Sequence, residues 1–127
     1  MSWNADTLGG MEPIYDRTGA VVAWLESGRL RSLSGHVIGW LHADAVYGLR
    51  GQSIGHFDDG TFRDRHGAVV GFIRGASPGV VLPVPQVPPV PPVPIVPPVP
   101  PVPSVPMVRP VPSLSWSRYS FEDYVAG

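Results

Sequence analysis

Histidine is the side chain whose charge changes most readily near neutral pH, and this 127-residue chain has four. His36, His42 and His66 lie in or beside turn signals. Similar stretches elsewhere replace them with Ala or Gln, with Glu, Asp or Arg, and with Thr, Ser or Arg. Such tolerance describes a solvated surface. His56 differs, because comparable stretches carry Trp24, Trp40 and Phe72 at that place. A polar residue in a ring of aromatic positions marks either a ligand site or a core histidine bonded to backbone. Asp58 and Asp59, beside Gly60, offer paired carboxylates, but neighbouring residues in a turn point apart, and Asp-Asp-Gly is ordinary hairpin composition. The sequence contains no phosphate-cradling glycine loop, no nucleophile elbow and no metal-ligand spacing. With no cysteine, disulfides and zinc–thiolate sites are excluded. The expectation is no catalytic residue, no metal and no cofactor.

The elements that would position these residues repeat. Gly19, Gly35, Gly51 and Gly67 stand sixteen residues apart, each preceded by an apolar opener (Ile14, Leu30, Val46, Phe62). Three residues after each glycine comes a β-branched residue (Val22, Ile38, Ile54, Val70), then a small one (Ala23, Gly39, Gly55, Gly71). The ring position follows (Trp24, Trp40, His56, Phe72), and then a large apolar residue (Leu25, Leu41, Phe57, Ile73). One such unit cannot bury its apolar face alone, so the period implies a stacked or closed repeat architecture. Asp16-Arg17-Thr18-Gly19 and Asp64-Arg65-His66-Gly67 have the Asp and Gly of a type I turn closed by a glycine bulge. Each repeat therefore reads as a β-hairpin. Strict alternation puts Val22 with Trp24 on one face and Ala23 with Leu25 on the other. Tyr15 and Tyr47 alternate with Arg31 and Arg63 at the second position, which hints at a two-fold relation within the four or at Arg packed against Tyr of a neighbouring unit.

The four units span residues 14–76, a domain of only 63 residues. A chain of that size buries roughly 60% of its unfolded surface and is marginal alone. Oligomerisation or docking of the remaining chain would support it. The net charge of −1 gives no reason to expect nucleic acid, although all nine basic residues are Arg. No run approaches the ~18 apolar residues of a membrane span. The N-terminal residues 1–13 read as flexible and lack the features of a signal peptide, so a cytoplasmic location is expected.

From Ser77 the composition changes. Fifteen prolines lie between Pro83 and Pro112, which excludes helix and sheet interior over 77–112. Valine recurs at every third position from Val84 to Val111, so in polyproline II geometry ten valines share one edge. At ~3.1 Å per residue this arm would reach about 87 Å if straight, against a radius of gyration of about 11 Å for the repeats. It is expected to project away, to wrap round an oligomer or to pack beside copies of itself. Residues 113–127 then bring four rings into nine residues: Trp116, Tyr119, Phe121 and Tyr124. Ser120, with Asp123 three later, can cap a helical turn. The rings suit docking, in cis or in trans, onto the protein itself, or onto an unknown protein partner.

Units such as YDRTGAVVAW and RDRHGAVVGFIRGA, a PPVPPV tract and an ending SWSRYSFEDY together resemble the bacterial 4-fold beta flower proteins. The resemblance runs from Ile14 to the C-terminus and implies four hairpin petals around a pseudo-four-fold axis. It carries no activity or catalytic residue. His56 and Ala23 depart from the repeat pattern. The expectation is an all-β chain of four sixteen-residue hairpin repeats around a central axis, with an extended proline-rich arm and an aromatic C-terminal segment. Two functions follow from it. One is a non-enzymatic interaction or assembly module, held to itself in a homo-oligomer or to another protein. The other is a small-ligand or hydrolase-like site near the axis, lined by Trp24, Trp40, His56 and Phe72.

Overall fold

The computed structural model describes residues 10–77 and 79–127. Most of the segment expected to be flexible, residues 1–9, lies outside them. Eight antiparallel strands run in sequence order: β1 (Glu12–Tyr15), β2 (Val21–Glu26), β3 (Arg29–Arg31), β4 (Val37–His42), β5 (Ala45–Gly48), β6 (Ser53–Asp58), β7 (Thr61–Arg63) and β8 (Val69–Phe72). Each pairs with its neighbours, and Tyr15 of β1 pairs with Phe72 of β8 to close the sheet into a barrel. Closure leaves no free edge, which is how strands only three to six residues long form a stable sheet.

At one end of the barrel lie the four glycine turns. Asp16 Oδ1 accepts hydrogen bonds from the Thr18 and Ala20 amides, and Asp64 Oδ1 does the same for His66 and Ala68. Ser32 Oγ replaces the carboxylate in the second turn, and in the third Gln52 Oε1 accepts from Arg50 N. Every turn closes with the glycine amide on the carbonyl three residues earlier, at 3.0 Å. The opposite end carries two-residue turns whose residues have positive φ: Ser27-Gly28, Ala43-Asp44 and Asp59-Gly60. That is the geometry of a tight hairpin, and it accounts for the Asp-Asp-Gly sequence.

The alternation expected along the second strand of each hairpin holds for Ala23 and Leu25, which share the inner face, but fails for Val22, expected beside Trp24. In all four hairpins the register slips by one residue: Ile14 faces Ala23 while Tyr15 faces Val21, and the same step skips Ile38, Ile54 and Val70. The β-branched residue is thus a β-bulge, which breaks the alternation and strengthens the local twist. As a result Ile54 and Val70 join Ala23, Leu25 and the four openers in one apolar cluster, with Val22 and Ile38 packed against it. The ring-position residues are left on the other face.

Beyond β8 the proline-rich arm follows its own barrel: of the three courses expected of it, projecting away is overturned, and the wrapping is round a single chain. The Gln86 amide donates to the Gly19 carbonyl, Ile95 to Gly35, Ser104 to Gly51 and Ser113 to Gly67. Nine residues of arm match sixteen residues of barrel. At three of these stations Pro83, Pro92 and Pro101 lie against the turn glycine, and a Cβ on any of the four glycines would strike the arm's backbone. After the last station Val69 forms a parallel bridge with Trp116, and α1 (Phe121–Ala126) follows. Ser120 caps it by accepting from Asp123 N at 3.1 Å, with Glu122 and Asp123 in its first turn.

Candidate functional site

The outer face of the barrel, beneath the arm, carries a second ring of residues in cross-strand pairs. Trp24 faces Arg31, Trp40 faces Tyr47, His56 faces Arg63 and Phe72 faces Tyr15. Each ring-position residue therefore meets the second-position residue of the next repeat. The Tyr/Arg alternation divides the four pairs into two kinds. Arg31 Nη1 donates to the carbonyls of Gly35 and Ile95, at 2.7 and 2.8 Å. Arg63 Nη1 donates to Gly67 and Ser113, at 2.6 and 2.9 Å. Each guanidinium thus ties a turn glycine to the arm, and the two ties fall eighteen arm residues apart. Arg31 also pairs with Glu26 at 2.7 Å. In the odd positions an aromatic ring takes the place of the guanidinium: Tyr15 stacks on Phe72 with ring centroids 5.4 Å apart, and Phe72 meets Trp116 edge-on at 6.3 Å.

His56 is 6% exposed, and its Nδ1 has no hydrogen-bond partner. Burial lowers its pKa from the ordinary value, and the Arg109 charge lowers it further. A hydrogen bond to the Met107 backbone and the charge of Asp44 act the other way. Arg109 is held by Asp44 at 3.3 Å and Asp58 at 3.5 Å. The space beside His56, bounded by Arg63, Arg109 and Pro110, is only about 10 Å³, no more than one water needs. Trp24, Trp40, His56 and Phe72 occupy four different quadrants on the outer face, so the barrel brings each to its own partner and does not gather them round the axis. His36, His42 and His66 are exposed. Among the described residues no group of three or more His, Cys, Asp or Glu stands close enough to hold a metal ion.

The C-terminal rings separate into two environments. Phe121 and Tyr124, each 4% exposed, belong to the barrel's own apolar cluster. Phe121 meets Phe62 edge-on at 5.6 Å, and the Tyr124 hydroxyl donates to the Arg63 carbonyl at 2.9 Å. Burial and the nearby Asp64 push the Tyr124 hydroxyl well above its usual pKa, so it remains a donor at physiological pH. Trp116 packs on Phe72, while Tyr119 is 38% exposed beside Arg118. The helix therefore stoppers the glycine-turn end of the barrel. Four hairpins, a closed barrel and a pseudo-four-fold ring of turns are the features that decide the family. A family model described as 4-fold beta flower protein matches residues 12–125. The chain belongs to that family. Comparison with curated proteins and with solved structures gave no match.

This beta flower chain also carries, within the valine period of its arm, a nine-residue spacing that marks where the arm is attached. The arm's prolines fail at Gln86, Ile95, Ser104 and Ser113, every ninth residue, where an N–H must reach a turn glycine. Met107 is a further exception, and its amide donates to Ser53 Oγ. Among the described residues no helix is long and apolar enough to cross a membrane.

Proposed function

We propose that this beta flower chain is a non-enzymatic assembly module that associates with further copies of itself through the valine edge of its arm. The observation that carries this reading is orientation. All ten valines from Val84 to Val111 point away from the barrel, each 82–92% exposed. Exposed apolar surface that is contiguous and regular is unusual on a monomer and marks a contact surface. The arm's one charge, Arg109, is neutralised by Asp44 and Asp58, so two such edges can meet without like-charge repulsion. Polyproline II geometry would repeat the valine pitch every three residues on both copies, which lets identical ridges interlock.

Sedimentation velocity of the full chain over a hundredfold concentration range tests this. The wild type is expected to sediment above the 13.6 kDa of one chain. Combined Val87→Thr, Val96→Thr and Val105→Thr substitutions should return it to a monomer with the same circular dichroism. A monomeric wild type, or a variant that still assembles, overturns the reading.

A further inference from the structure

The arm makes two crossings that are mates of each other. One runs from the Gly19 station to the Gly35 station, past the pair Trp24 and Arg31. The other runs from Gly51 to Gly67, past the pair His56 and Arg63. Between those stations the two arm segments, 87–94 and 105–112, have the same sequence except at two places. Met107 stands for Pro89, and Arg109 stands for Pro91. Both exceptions meet His56. The Met107 backbone hydrogen-bonds its ring, and Arg109 bounds the space beside it together with Arg63, Pro110 and Pro112. The ring position is an exception as well, because its mate is Trp24, which takes up no proton.

His56 is badly placed to carry a charge. The ring is 6% exposed, Nδ1 has no partner, and the space of about 10 Å³ beside it admits no more than one water. Its charged neighbours are Arg63 on β7, Arg109 on the arm, Asp44 in the turn between β4 and β5, and Asp58 at the end of β6. Asp44 and Asp58 already pair with Arg109, at 3.3 and 3.5 Å, and the charges of Asp58 and Asp59 act on Arg63. A proton on Nδ1 therefore adds a cation beside two arginines whose carboxylates are engaged. Burial and Arg109 outweigh the Met107 bond and Asp44, which favour the charged ring, so the ring is more basic with the arm away.

We propose that His56 is a proton-operated latch for this one crossing of the arm. With the ring neutral, segment 105–112 lies on the barrel. The Met107 amide holds it to Ser53 Oγ at 3.2 Å, and Arg109 holds it to Asp44 and Asp58. With the ring protonated, Arg109 is driven off and leaves its carboxylates to the imidazolium. The segment lifts while Ser104 and Ser113 stay on their glycines. The mate crossing, with Trp24 beneath an uncharged segment, does not respond. The latch is closed above the ordinary histidine value of 6.5 and opens as pH falls through the lower folded value.

Amide hydrogen exchange, followed by NMR on the full chain at about pH 7.5 and about pH 5, tests this. Corrected for intrinsic exchange, protection of the Met107 amide should fall roughly fivefold or more, and that of Gln86 and Ile95 should hold within about twofold. The His56 Cε1 proton should titrate over the same range. His56→Phe installs the residue that repeat four carries at this place, and His56→Gln is neutral at every pH. Both should keep Met107 protection constant. Met107 protection that ignores pH in the wild type, a loss that persists in both variants, or an equal loss at Gln86 and Ile95 would each overturn the proposal.

Discussion

The barrel and the arm use the same kinds of apolar residue in opposite ways. In the barrel, Ile14, Leu30, Val46 and Phe62 are fully buried against one another. In the arm, valines of equal hydrophobicity face solvent, and attachment relies on backbone amides, turn glycines and two arginines. The barrel is therefore specified by side-chain volume, and the arm by where an N–H is present. Proline-rich backbone has few donors, and the four amides that reach turn glycines, with the Met107 amide on Ser53 Oγ, set the register of the arm. The difference teaches that the arm's side chains are free to serve a partner without disturbing its own attachment.

Three substitutions bear on that contrast. Phe121→Ala removes a ring packed on Phe62 and Gly71 inside the barrel, and should cost about 3–5 kcal/mol in a urea unfolding titration. If its cost were under about 1 kcal/mol, the helix would be no part of the core. Gln86→Pro deletes the amide that donates to the Gly19 carbonyl at 2.9 Å. It should cost about 1–3 kcal/mol and accelerate proteolysis of the arm's first segment, whereas Val87→Thr, one residue on, should stay within about 0.5 kcal/mol. Equal effects from the two would abolish the distinction between donor and edge.

The smallest effect concerns pH. Burial lowers the pKa of His56 in the folded state, so the unfolded chain binds the proton more readily. The contribution of neutral His56 is fully present above the ordinary value of 6.5 and is lost as pH falls through the lower folded value. Urea midpoints should therefore decline on acidification below about pH 6.5, and His56→Phe should flatten that decline. A variant with the same slope as wild type would assign the acid sensitivity to other groups.

Much of this was legible in the residues. The turn chemistry of Asp16 and Asp64, the four hairpins and the Ser120 cap follow from local preferences that need few neighbours. The β-branched and small pair at Val22-Ala23 was visible as a repeat, but its meaning as a bulge was not, because a bulge is defined by the partner strand's register. The ring formed by Trp24, Trp40, His56 and Phe72 was seen as a set. It keeps the side opposite Ala23 and Leu25 that alternation implies, and the bulge moves only the β-branched residue away from it to the core. The nine-residue rhythm of Gln86, Ile95, Ser104 and Ser113 lay within the valine period and needed the barrel's turns to give it a purpose.

By itself the sequence determined the four-fold repeat, the extended arm and the aromatic ending, since each rests on periodicity and backbone preference along the chain. Only the tertiary structure decided that the barrel closes, that the arm circles it with valines outward and that one helix stoppers its glycine-turn end. Those outcomes depend on hydrogen bonds and contacts between residues tens of positions apart. Whether such groups meet is settled by the geometry of closure, which no local preference contains.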